Sequence, residues 1–140
     1  MTYKFSGVPI ELIENARKEV TPFIDKVIPY TGGRYETEDI FDFLKDGRMT
    51  LWVCFHAMDQ KINGIVVTYE LEYPKKRVFN ILLCAGNGLK ECYKPMLELL
   101  EKVAKKRKCD SIEVNGRQGW MRLMKKDGYK EITRLIEKEI

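Results

Sequence analysis

The sequence predicts an α/β domain of the α+β type, a mixed, mostly antiparallel central sheet with helices on both faces. Three observations predict it. Three β-rich runs follow one another between Met49 and Cys84, with connections too short for a crossover. An amphipathic helical pattern then separates this meander from one more short β-rich run. Helical patterns also precede the meander and follow the last run. The predicted order is α-α-β-β-β-α-β-α-β, in a single domain spanning 1–140.

Each element has its own signal. Over Pro9 to Ile28, Ile10, Ile13, Ala16, Val20, Ile24 and Val27 recur at helical spacing. Pro9 suits a first turn, and Pro22 inside the pattern should kink or divide the helix. A second helix runs from Glu38 to Lys45, with Thr37 as its N-cap and Gly47 as its stop. Strands are predicted at Met49 to Ala57, Ile62 to Tyr73 and Arg77 to Cys84, with turns at Asp59-Gln60-Lys61 and Pro74-Lys75-Lys76. Tyr93, Met96, Leu97, Leu100, Val103 and Ala104 share one face of a helix ending near Lys108. Its opposite face carries Glu98–Lys102 and Glu101–Lys105 at i, i+4. Ser111 to Val114 is a short strand, parallel to the one before the helix. A helix over Gln118 to Lys126 closes at Gly128. From Tyr129 to Ile140 two patterns compete: Ile132, Leu135 and Ile136 at helical spacing, and Tyr129, Glu131, Thr133 and Leu135 alternating as a last strand.

Composition narrows the class. The chain has 140 residues, 44% hydrophobic and 33% charged, as a soluble globular domain has. There is no internal repeat, low-complexity tract or linker. The cysteines Cys54, Cys84, Cys92 and Cys109 form no C-x-x-C pair, and His56 is the sole histidine, so no metal site is expected. Cys54 and Cys84 sit in apolar runs, and the cysteine usage fits a reducing cytosol. No signal peptide or membrane-spanning run is evident, so a cytoplasmic location without a membrane partner is expected. The net charge is +4, with basic clusters at Lys75-Lys76-Arg77, Lys105-Lys106-Arg107-Lys108 and Lys125-Lys126. These serve as solvated faces or attract a polyanion or phosphorylated cofactor. No nucleic-acid-binding motif accompanies them, which argues against nucleic acid.

The most informative stretch is Ile81-Leu82-Leu83-Cys84-Ala85-Gly86-Asn87-Gly88-Leu89-Lys90. It passes from a buried strand through a glycine turn into a helix. Glycines let backbone amides approach an anion, and a helix start offers unpaired N–H groups and partial positive charge. Together these suit phosphate. A plain tight turn needs the same residues. The turn's place at the carboxyl end of a central strand, where ligands bind in open α/β sheets, favours the phosphate reading.

Here the chain resembles the GNAT superfamily of N-acetyltransferases, over Met49 to Ile140, with the leading helices also compatible. The match is carried by Gly86-Asn87-Gly88, by the helix through Leu100 and Ala104, and by Leu123 to Gly128-Tyr129. The resemblance implies acetyl-CoA as co-substrate. Cys84, Ala85, Gly86, Asn87, Gly88, Leu89, Lys90 and Arg117 would be the cofactor-binding residues. A narrower likeness is to GNAT-like proteins of tailed bacteriophages, through Cys109 to Val114 and Gly116-Arg117-Gln118-Gly119-Trp120. It implies location in host cytoplasm or virion, and some such proteins are virion components.

Departures from the family pattern are visible. Leu83 or Cys84 stands where the fuller motif has Gln or Arg, and Lys90 or Glu91 where it has a third small residue. Met124 occupies the position of a tyrosine that often protonates the leaving thiolate, and Arg117 that of a common Asn. Pro95 disfavours helical geometry at Lys94.

Transfer needs a neutral amine, a base to take its proton, and positioning against the thioester. Asn80 in the strand before the turn and Glu70 in the strand before that are the catalytic candidates. Glu70 and Glu72 share one strand face, which is also what a solvated face looks like. His56 lies near a hairpin end, and the apolar neighbours of Cys84 argue against a lowered thiol pKa. Arg117 and Trp120 read either as a wall or clamp beside the cofactor or a protein partner, or as a loop anchor and a core tryptophan. The expected function is transfer of an acetyl or other acyl group from CoA to an amine of a small molecule or protein. The alternative is an inactive GNAT-like phage protein with a virion or host-interaction role.

Overall fold

The structure, a computed structural model, describes residues 2–116 and 118–140. Its strands form one sheet in chain order: β1 (Tyr3–Gly7), β2 (Thr50–His56), β3 (Ile62–Tyr73), β4 (Lys76–Ala85) and β5 (Ser111–Val114). Neighbours pair antiparallel from β1 to β4, and β5 lies parallel to β4. Helices α1 (Ile13–Val27) and α2 (Thr37–Lys45) lie between β1 and β2. Helix α3 (Tyr93–Lys106) joins β4 to β5, and α4 (Gln118–Met124) follows β5. This is the mixed, mostly antiparallel sheet with helices on both faces that the sequence predicts.

The ends of the chain differ from expectation. Strand β1 is additional: Tyr3 and Phe5 alternate with polar residues, and only Phe5 is buried, stacked on Trp52 at 5.9 Å. The expected last strand is absent, since 129–140 adopts neither strand nor helix. Alternation alone does not supply a pairing partner, and Ile132, Leu135 and Ile136 remain exposed. The tail touches the body through Tyr129, whose hydroxyl donates to Glu101 at 3.1 Å, and through Glu137, 2.7 Å from Arg34. Glu101 therefore serves Tyr129, and Glu101–Lys105 is not among the described ion pairs.

Helix α1 begins at Ile13, after a 3-10 turn at Ile10–Leu12, and runs on past Pro22 undivided. A proline inside a helix costs about 3 kcal/mol. Burying Ile13, Val20, Ile24 and Val27 outweighs this, at about 1.5–3 kcal/mol for each large aliphatic chain. In α2 the N-cap is Glu36, not Thr37: Glu36 and Asp39 form a capping box, and the Thr37 hydroxyl donates to Asp25 at 2.6 Å.

Two cores flank the sheet. Helices α1 and α2 pack on Leu51, Val53, Ile65, Val67, Leu83 and Ala85. On the other face α3 packs on Trp52, Cys54, Val66, Phe79 and Ile81. Odd-numbered residues of β4 thus change face between Ile81 and Leu83. The cause is a β-bulge: Val67 pairs with Leu83 and Thr68 with Ile81, leaving Leu82 as the extra residue. Bulges re-aim a strand, and this one lies just before the glycine turn.

Candidate functional site

The site begins where β4 and β5 part. Their pairing ends at Ile81–Val114, followed by a last bond from the Asn115 N–H to the Ile81 carbonyl at 3.1 Å. Strand β4 continues to Ala85, so its flank over residues 82–85 has no strand beside it. A slot of about 30 Å³ lies there, between Leu82–Cys84 and Val114–Gly116, with Val27, Tyr30 and Trp120 around it. That volume is about two to three times the roughly 10–15 Å³ that one water needs, so the slot is narrow. The edge backbone of β4 is the kind of surface on which an extended amide-bearing chain can lie.

The glycine turn stands at the end of this edge. Gly86 has φ +104°, a region that favours glycine, and Asn87–Leu89 form one 3-10 turn. The Leu89 N–H donates to the Gly86 carbonyl at 3.4 Å, and the Gly88 carbonyl accepts from Glu91 and Cys92, each at 3.1 Å. As the opening residues of a helical turn, Asn87 and Gly88 have no acceptor for their N–H groups within it. The turn lies hard against the start of β3. A Cβ on Gly86 would sit 2.3 Å from the Asn63 carbonyl oxygen, and one on Gly88 would sit 2.4 Å from the Asn63 Cβ. Both glycines are thus required by packing, whatever the turn binds. Helix α3 does not start at the turn but at Tyr93, beyond Lys90–Cys92. Pro95 falls in its first turn, where a missing N–H is harmless.

A second, wider groove of about 490 Å³ borders Gly86–Gly88 on the side of Asn63. Lys26 of α1 and Lys61, just before β3, flank it, and Glu91 adds one carboxylate. Neither lysine belongs to any described ion pair, so both ammonium groups can meet an anion. No sequence pattern singled out this pair, because 35 residues separate them and only the fold brings them together. The basic clusters at Lys75–Arg77 and Lys105–Lys108 lie at the opposite end of β4 and do not border the groove.

The sequence-predicted residues separate into two groups. Cys84 lines the slot, and Gly86, Asn87 and Gly88 line the wider groove. Ala85 and Leu89 have buried side chains that face opposite cores, so only their backbone can serve a ligand. Lys90 is exposed on the turn. Arg117 lies outside the described residues. Glu70 and Asn80 are not brought to the turn. Glu70 pairs with Phe79 while Ala85 pairs with Ile65, a separation of about 20 Å along β4. The antiparallel run of β3 causes this, carrying the later residues of β3 away from the end of β4. The Glu70 carboxylate instead holds Arg107 at 2.8 Å. Asn80 is buried between Tyr69 of β3 and Glu113 of β5, does not line the slot, and has an Oδ1 with no partner among the described residues.

Trp120 both lines the slot and packs against the α3-side core, with its ring 6.4 Å from that of Tyr93. The Tyr93 hydroxyl donates to Asp127 at 2.6 Å. Burial, then that bond, pushes the Tyr93 phenol above its ordinary pKa, and burial with the Glu101 charge does the same for Tyr129. Both stay protonated. Met124 is buried in the α3 core. His56 packs edge-on against Tyr3 at 5.4 Å, and its Nδ1 accepts the Met58 N–H at 3.3 Å. The slot lining, among the described residues, holds no carboxylate and no histidine. No three described His, Cys, Asp or Glu side chains are grouped to hold a metal, and no described helix is long and apolar enough to cross a membrane.

No protein-family model and no curated protein sequence matches the chain. Solved structures do match its shape. A GNAT family acetyltransferase of Staphylococcus aureus superposes with a TM-score of 0.66 at 17% identity, covering 100% of both chains. The chain has the GNAT fold. Other structures with this fold include an aminoglycoside acetyltransferase from an uncultured soil metagenomic sample, at TM-score 0.74 and 15% identity, covering 100% of this chain and 99% of that one. A predicted acetyltransferase with acetyl-CoA from Clostridium acetobutylicum gives TM-score 0.68 at 15% identity, covering 99% and 96%. Nothing in these three matches links the chain to tailed bacteriophage proteins. Within this fold, the slot and the glycine turn both lie at the carboxyl end of β4.

Proposed function

We propose that the chain is an N-acyltransferase that moves an acetyl or other acyl group from a CoA thioester to an amine. The observation that carries this is the unpaired edge of β4 running from the bulge at Leu82 to the turn at Gly86. That edge suits the amide-bearing arm of CoA, with the thioester in the slot and the phosphates toward the amides of Asn87 and Gly88. Lys26 and Lys61 supply the counter-charge in the wider groove. The likeness of fold to acetyltransferases supports the same reading.

In the reaction a neutral amine attacks the thioester carbonyl carbon, the C–S bond breaks and CoA leaves as thiolate. The amine proton passes to water, since no base side chain lines the slot among the described residues. Tyr30 is the phenol in the slot lining and the candidate to protonate the thiolate. Met124 has no proton to give, and Tyr93 and Tyr129 are held by carboxylates. Positioning in the narrow slot supplies the larger part of the rate. Calorimetry with acetyl-CoA, CoA and longer acyl-CoAs tests the first step, and thiol release over a panel of amines tests the second. Absence of binding to every thioester would refute the proposal.

The lack of a carboxylate or histidine in the slot, among the described residues, favours a second reading, a GNAT-fold binding module without catalysis. Binding of acetyl-CoA with no thiol release over any amine or lysate would select it.

A further inference from the structure

The described cysteines are not all free thiols. Cys54 and Cys92, 38 residues apart, are joined by a disulfide, against the sequence-based expectation of reduced cysteines. Sequence spacing could not reveal it, because β2 and the start of α3 meet only in the fold. The bond lies directly behind the glycine turn. Cys54 is in mid-sheet, paired on one side with Phe5 and on the other with Gly64. Cys92 is the residue where turn and helix meet. Its N–H donates to the Gly88 carbonyl at 3.1 Å, and its own carbonyl accepts the Met96 N–H at 2.8 Å. The Cys54 sulfur is 3.2 Å from that same Gly88 carbonyl oxygen. Both cysteines are fully buried. No side chain caps α3 at its N-terminus, so the disulfide is the covalent tie that fixes this junction to the sheet.

We propose that the Cys54–Cys92 disulfide is a redox latch on the thioester site, holding the Gly86–Gly88 amides in place when oxidised and releasing them when reduced. This rests on the acyl-CoA reading of the turn given above. The chemistry is exchange with a dithiol: the S–S bond breaks, two S–H bonds form on Cys54 and Cys92, and the dithiol is oxidised to its own disulfide. Two thiol sulfurs cannot stay at bonding distance and must separate to van der Waals contact. Cys54 is held by strands on both sides, so Cys92 moves, and with it the bond that closes the turn at Gly88. Burial of both sulfurs means that the dithiol acts when the turn opens locally. Binding to the reduced protein must then order the amides, which the oxidised protein holds already ordered.

The experiment compares whole protein, air-oxidised and dithiothreitol-reduced, by calorimetry with acetyl-CoA and by hydrogen exchange over residues 86–92. Alkylation under denaturing conditions counts thiols: two are expected to react in the oxidised protein and four after reduction. The Kd is expected to rise about tenfold or more on reduction, and to recover on reoxidation, as loss of preorganised bonds to an anion would produce. Exchange over 86–92 is expected to quicken. Cys92→Ala should bind weakly with or without reductant, and Cys109→Ser should keep the full redox response. Should Cys92→Ala fail to fold, reduced wild-type protein gives the same comparison. Four reactive thiols after oxidation, or equal Kd and equal exchange in both states, would overturn the latch and leave the acyl-CoA reading standing. No binding in either state would overturn the acyl-CoA reading, and exchange alone would then decide whether the disulfide holds the turn.

Discussion

Gly88→Ala probes the turn with the smallest available change. The new Cβ would lie 2.4 Å from the Asn63 Cβ and 3.1 Å from the Asn63 carbonyl carbon and oxygen. Carbon atoms in contact sit about 3.5 Å apart. Turn and β3 must therefore separate by about 1 Å. Two effects follow. Overpacking at a buried site costs about 1–3 kcal/mol, and about 2 kcal/mol corresponds to roughly 7 °C in Tm for a chain of this length. The amides of Asn87 and Gly88 also move by about 1 Å, a misplacement on the scale that costs about 100-fold in a positioned reaction. Thermal unfolding measures the first effect, and acetyl-CoA calorimetry with thiol release the second. Asn63→Gly in the same chain removes the Cβ of closest approach and should restore part of both losses, giving a coupling energy of about 1 kcal/mol in a double-mutant cycle. Full stability in Gly88→Ala would refute the packing argument. Lowered stability with unchanged acetyl-CoA affinity would refute the placement of phosphate at this turn.

Lys26→Glu with Lys61→Glu should weaken acetyl-CoA binding about tenfold at low ionic strength and less at high salt, as titrations at two salt concentrations would show, while acetyl-pantetheine, which lacks the phosphates, is unaffected. Glu70→Gln should leave the transfer rate within about twofold, because the carboxylate is about 20 Å from the turn and holds Arg107. Tyr93 and Tyr129 have folded pKa values raised above the unfolded value, so their contribution to stability is complete below about pH 10 and is lost as pH rises through the folded values. Denaturation from pH 8 to 11 should show stability falling above about pH 10, and Tyr129→Phe should flatten that fall.

Much of the fold was legible because its signals are local. The β-branched and aromatic runs of β2, β3 and β4, joined by Asp59–Lys61 and Pro74-Lys75, dictate an antiparallel meander. The stripe from Tyr93 to Ala104 dictates α3, and the Gly86-Asn87-Gly88 turn follows directly from the residue types. Other features depend on which segment lies beside which. Strand β1 needs β2 as partner, and its five residues hold too little apolar pattern to declare it. The bulge at Leu82, which turns Leu83 and Ala85 toward α1, is a matter of register between β3 and β4. The antiparallel run of β3 carries Glu70 away from the turn. Lys26 and Lys61 come to one groove, and Cys54 meets Cys92, only after the chain is packed, since non-local contacts leave no period in the sequence. Residue types and their period dictated β2, β3, β4 and α3 and the place of the glycine turn, through backbone preference. The tertiary structure alone decided what surrounds that turn, because proximity between distant residues is a property of packing.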